Sequence, residues 1–212
     1  MAEFTKANET LSPHCASFYV RGTVHPDYNR LNVSQSYARF RNEIVAFGPI
    51  VDPTGCRIAI KRESFPKLIN IKRLAEGERG KATKLIELIE DGLFDSPPGH
   101  YRNQEFSWER DRIETLFWIP DLIANPDAIY KNGHRIIQGD RVFVKVYDKL
   151  GSKIKLAFTQ TVGKNGPNVI VTSFLTDPET AISYIRGLPI YSRAKEEDEP
   201  SLALAADGSQ KQ

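Results

Sequence analysis

Two stretches in the second half of the chain alternate with a period of two, a wholly apolar side against a mixed one, and this limits the fold more than any other feature. Arg141-Val-Phe-Val-Lys-Val-Tyr147 puts Val142, Val144 and Val146 on one side and Phe143, Lys145 and Tyr147 on the other. Lys153 to Thr161 repeats the pattern, with Ile154, Leu156 and Phe158 opposite Lys155, Ala157, Thr159 and Thr161. A third run, Asn168 to Leu175, is apolar on both faces, as a central strand is. Asp148-Lys-Leu-Gly-Ser152 and Gly163-Lys-Asn-Gly166 are turn sequences, so the three runs read as an antiparallel meander.

The first half reads mainly as helix. Val33, Tyr37, Phe40 and Ile44 share one helical face, with Asn32 or Ser34 as cap. Leu85, Ile86, Leu88, Ile89 and Phe94 predict a helix from Thr83 to Phe94. Ile113, Leu116 and Phe117 predict another from Ser107 to Trp118, which Pro120 breaks. Between these, Asp52-Pro-Thr-Gly55 is a turn joining two short strands at 46–51 and 57–61. Ser64-Phe-Pro-Lys67 reads as a first helical turn carrying Lys67. Asn125-Pro-Asp127 looks like a second cap, 133–138 like an extended run, and 177–191 like the place for one short helix. The expected class is α+β, with N-terminal helices packed on a mainly antiparallel C-terminal sheet. The expected divisions are an arm and helix at 1–45, the α+β domain at 46–192 and a polar tail at 193–212.

Composition narrows the function little. Of 212 residues 40% are hydrophobic and 26% charged, and the formal net charge is only +2. Any nucleic-acid surface must therefore be local. The polar N-terminus predicts no secretory signal, and no apolar run reaches membrane-spanning length. Cys15 and Cys56 are too few for a disulfide framework, which fits a cytoplasmic home. His14, His25, His100 and His134 have neither helical nor finger spacing, so no metal and no cofactor is expected. Gly163-Lys-Asn-Gly166 lacks the strand-to-helix context of a phosphate loop.

What remains is one polar sheet face. Lys145, Tyr147, Lys155, Thr159 and Thr161 would project together, while the Val/Ile/Leu/Phe face packs on the helices. Cations, hydroxyls and a ring suit RNA: cations meet phosphate, hydroxyls bond phosphate or 2′-OH, and a ring stacks on a base. An ordinary solvated sheet face has the same composition. Arg110 and Arg112 offer guanidinium forks for phosphate, or else pair with Glu109 and Glu114 on their own helix. Lys67 is either a solvated lysine or a cation drawn into the same cleft.

The order of these pieces resembles the phage-associated branch of the barnase–EndoU–colicin–RelE-like nucleases. The likeness runs from about 46 to 176. It rests on Ser64-Phe-Pro-Lys-Leu-Ile69 after the hairpin, Glu109-Arg-Asp-Arg-Ile113 with Trp118, and Ile123-Ala-Asn-Pro-Asp-Ala-Ile129. The strands at Phe143–Tyr147, Leu156–Thr159 and Val169–Phe174 complete it. The resemblance implies helices on a four-stranded antiparallel sheet and metal-independent RNA cleavage. In that chemistry the 2′-OH attacks the adjacent phosphate and leaves a 2′,3′-cyclic phosphate. It places Lys67, Arg110 or Arg112, Lys145 and Thr172 at the catalytic positions, with RNA, and an immunity or antitoxin protein, as partners. Such relatives often carry His where this chain has Lys67. That departure leaves a Lys/Arg-driven enzyme or a protein that only binds. A non-catalytic binding or structural protein of a phage or mobile element is the alternative.

Overall fold

The computed structural model describes residues 31–73, 82–95, 100–134, 137, 139–147, 153–162 and 167–193. The arm at 1–16, the run Phe18-Tyr-Val-Arg21, whose sequence suits a short strand, the turn sequences at 96–99, 148–152 and 163–166, and the tail beyond 193 lie outside them.

Helix α1, Val33–Glu43, starts where the sequence places it. Asn32 Oδ1 accepts from Gln35 N at 2.7 Å and Gln35 Oε1 accepts from Asn32 N at 3.0 Å, a reciprocal cap. Its apolar face brings Tyr37 and Phe40 onto Phe65, with ring centroids 5.1 and 5.3 Å apart. The hairpin of β1, Ile50–Val51, and β2, Arg57–Ala59, closes around the buried Asp52 carboxylate. That carboxylate accepts from Thr54 N, Thr54 Oγ1 and Cys56 N, and pairs with Arg141 at 3.2 Å, which ties the turn to the main sheet. After β2 the chain makes a 3-10 turn at Arg62–Ser64 and the one-turn helix α2, Phe65–Leu68, with Pro66 in its first turn.

Next come β3, Lys72–Arg73, and α3, Ala82–Glu90, which buries Leu85, Ile86 and Ile89. Strand β4, Phe106–Ser107, pairs with β3. The long helix expected from Ser107 to Trp118 is therefore shorter. Ser107 lies in a strand, Trp108 N donates to Tyr101 O and Glu109 N donates to Ile69 O. Only α4, Arg110–Glu114, is α-helical, followed by a 3-10 turn at Leu116–Trp118. Pro120 does not break a helix but sits in the first turn of α5, Ile119–Ala124, where a missing N–H is harmless.

Seven strands, not four, form the main sheet among the described residues. Besides β1 and β2 these are β5, Ala128–Asn132, β6, Arg141–Tyr147, β7, Lys153–Thr161, β8, Asn168–Thr176, and β9, Ile185–Ser192. Their order is β1-β2-β8-β7-β6-β5-β9, antiparallel except where β2 runs parallel to β8. The short helix α6, Pro178–Ile182, precedes β9. Gly133 lets β9 close against β5, since a Cβ there would meet the Ile185 carbonyl oxygen at 2.7 Å.

The two sheet faces are the reverse of the expected ones. Phe143 and Ala157 belong to the large core under the helices, together with residues of α1, α3 and α5. Their face-mates Lys145 and Lys155 are therefore buried beneath the helices, 2% and 1% exposed. Val142, Leu156 and Phe158 point the other way and pack with Val171 and Ala181 in a second, smaller core. A period of two shows that a strand has faces; it does not show which one a helix covers when both carry apolar groups.

Candidate functional site

The strongest polar cluster stands at the edge of β8. Strand β2 accompanies β8 only through the pairs Ile58–Asn168 and Ala59–Val169. The chain then turns away into α2, and Ser64 Oγ donates to Ile170 O at 3.3 Å. One residue further β8 bulges. Phe158 pairs with Thr172 and Thr159 with Ile170, so Val171 is extra. A bulge re-aims the side chains beside it. Thr172 Oγ1 here accepts from Arg112 Nη1 at 3.0 Å.

Arg112 is held from three directions. Its guanidinium lies 5.1 Å from the ring centre of Phe174, and its Nε donates to Glu109. The other oxygen of Glu109 accepts from Asn70 Nδ2. Asn70 has φ of 56°, a left-handed conformation that Asn tolerates better than most side chains. Its backbone corner, between α2 and β3, sets the Glu109 carboxylate against Arg112. The Arg112 side chain is 13% exposed and that of Glu109 46%, so the carboxylate faces solvent more than the guanidinium does.

Lys67 lines a cleft of about 290 Å³ on the same strand edge, with Lys61, Ser64, Leu85, Gln160 and Val171. Val171 is the neighbour of Thr172, so the cleft and the Arg112–Thr172 pair adjoin along β8. Arg110 points elsewhere: it pairs with Glu114 and lies over the Tyr101 ring at 5.6 Å.

Lys145, Lys155, Thr159 and Thr161 are not brought to this edge. Lys145 Nζ donates to Asp121 Oδ2 of α5 at 2.7 Å, and burial lowers its pKa against the opposing pull of Asp121. Lys155 Nζ donates to Thr115 Oγ1 at 2.5 Å. Burial holds its pKa well below the ordinary lysine value; Arg112 adds to that and Asp111 opposes it. Thr159 is fully buried, and its hydroxyl has no hydrogen-bond partner among the described residues. Thr161 Oγ1 donates to Asn168 Oδ1 at 3.0 Å. Tyr147 pairs through its backbone with Lys153; its side chain lies outside the description.

Glu109, Asn70 and Gln160 belong to the site without having been singled out for it. For Glu109 a signal exists: three residues before Arg112, it shares that residue's helix face. For Asn70 and Gln160 the sequence offers none, because their partners come from other elements.

Among the described residues no three His, Cys, Asp or Glu side chains stand close enough to hold a metal ion. Nor does any helix there have the length and apolarity to cross a membrane. Compared with known proteins, the chain matches no family model, no curated protein and no solved structure.

Proposed function

We propose that this chain is a ribonuclease-like protein that cleaves RNA by 2′-OH transesterification without a metal, in a toxin or phage-associated setting and a cytoplasmic location. The observation that carries this reading is the meeting of Arg112 with Thr172, Phe174 and Glu109 at the β8 bulge. A guanidinium, a hydroxyl, a ring and a carboxylate are what the chemistry asks for. Arg112 stabilises the negative charge that grows on the pentacoordinate phosphorus. Thr172 orients a non-bridging oxygen. Glu109, the more exposed partner, takes the proton of the attacking 2′-OH. The 2′-oxygen bonds to phosphorus, the bond to the 5′-oxygen breaks, and that oxygen takes a proton from water. Lys67, in the cleft that adjoins Thr172, adds a second cation to the same phosphate.

The test is incubation with labelled single-stranded RNA and with tRNA in EDTA. Cleavage leaving cyclic-phosphate ends is expected. Arg112→Ala should lower the rate at least about 100-fold, and Thr172→Val about 10-fold, with unchanged circular dichroism. Wild-type rates in Arg112→Ala would remove this site.

A second reading is a non-catalytic binding or structural protein of a phage or mobile element. Its support is the exposed apolar surface of α6 and β9, where Ile182 is 67% and Leu188 88% exposed. A protein partner, whether structural or of the immunity or antitoxin kind, would cover such residues. Folded protein that cleaves no RNA would favour this reading.

A further inference from the structure

The cleft beside Lys67 has features that phosphate binding alone does not use. Its volume, about 290 Å³, is at the small end of ligand pockets, which run from roughly 300 Å³ upward. Its walls are mostly apolar: Pro66, Ile71, Leu85 from α3, and Val169 to Val171 of β8. Two cations, Lys61 and Lys67, line it together with Glu63, whose carboxylate is answered by Arg62 at 2.8 Å. Gln160, from the end of β7, is half-buried in it, and its amide makes no side-chain hydrogen bond among the described residues.

A planar apolar-faced ligand with polar edges and an attached anion fits these features together. Apolar walls cover the faces of a ring. A Gln amide presents a donor and an acceptor side by side, the complement of adenine N6–H and N7. Lysine serves the phosphate as a point charge. The cleft adjoins Thr172 through Val171, so a base seated in it would belong to the nucleotide whose phosphate lies at the bulge.

We propose that this cleft is a nucleobase subsite in which Gln160 selects adenine and Lys67 holds the attached phosphate. The proposal rests on the ribonuclease reading for its place in a reaction, but its ligand can be tested apart from cleavage.

Titration calorimetry of the full chain with 3′-AMP, 3′-CMP, 3′-UMP and inorganic phosphate is the direct experiment. Binding of 3′-AMP at least about 10-fold tighter than the two pyrimidine nucleotides is expected. Gln160→Ala and the near-isosteric Gln160→Leu should each erase that preference. Lys67→Ala should weaken all three nucleotides alike. Nucleotides that bind no better than phosphate, or a preference that survives both Gln160 variants, would overturn the proposal. The two readings fail separately. Equal, Arg112-dependent cleavage of poly(A) and poly(U) keeps the ribonuclease and removes the subsite. Gln160-dependent binding of 3′-AMP without cleavage of any RNA keeps the subsite and removes the ribonuclease.

Discussion

Lys155 places an amine in the interior, with the Thr115 hydroxyl as its acceptor and Arg112 as a like charge nearby. An ammonium has three protons to satisfy, so burial favours the neutral form. Its folded pKa is therefore below the unfolded value of about 10.4. Above that value both states are neutral and the group exacts nothing. Below it the unfolded chain binds a proton that the folded chain refuses, so this group makes stability fall as pH falls toward the folded pKa. Lys155→Met keeps the stem and removes the amine. It should raise stability at pH 7 by about 1–4 kcal/mol and abolish this part of the pH dependence. Lys145 differs from it, although burial lowers its pKa too, because Asp121 answers its charge at 2.7 Å. Lys145→Met removes the cation that answers that carboxylate and should destabilise by about 3 kcal/mol. Urea unfolding of both variants at neutral and mildly alkaline pH checks the pair. A destabilised Lys155→Met would mean that its ammonium is charged and satisfied.

Two small irregularities of backbone build the site: the extra residue Val171 in β8 and the left-handed corner at Asn70. Asn70→Gly separates the corner's two tasks. Glycine adopts φ of 56° without strain, which offsets most of the lost Glu109 hydrogen bond, so stability should change by less than about 1 kcal/mol. The Glu109 carboxylate is no longer fixed, and RNA cleavage should fall several-fold, as in Glu109→Gln. Unchanged cleavage in both would deny Glu109 its role. Neither irregularity is written in a local pattern, and this separates what the sequence reveals from what it hides. Strands β6 and β7 are legible to the residue because their alternation is unbroken. Strand β5 is not, because Asn125-Pro-Asp127 imitates a helix cap. Strand β9 is interrupted by Gly187 and Pro189, and its register with β5 shifts there. The helix read from Ser107 fails because β3, more than thirty residues earlier, claims its first residue. Arg112 and Thr172 are named through the likeness of the whole pattern. The bulge that turns one toward the other is visible only in three dimensions.

A net charge of +2 on 212 residues leaves no general attraction for RNA, so phosphate affinity depends on where the cations stand. The fold withdraws two of them. Burial pushes Lys155 toward its neutral form, and Lys145 is answered by Asp121. The fold gathers three others along one edge of β8, Lys61 and Lys67 in the cleft with Glu63, and Arg112 at the bulge in its pair with Glu109. This predicts a modest salt dependence. For single strands the logarithm of affinity falls with the logarithm of salt at about 0.7 per phosphate neutralised, so three cations give a slope of about −2. Lys67→Ala should reduce that slope by about 0.7 and weaken binding to every sequence alike. Lys155→Met, which removes an amine of the same kind from the interior, should leave the slope unchanged. Fluorescence anisotropy of a labelled single-stranded RNA across a salt series reads all three. A flat response would strip the β8 edge of its phosphate contacts and shift the weight to the apolar surface of α6 and β9. A slope twice the expected size would mean that RNA follows a longer basic path than this edge supplies.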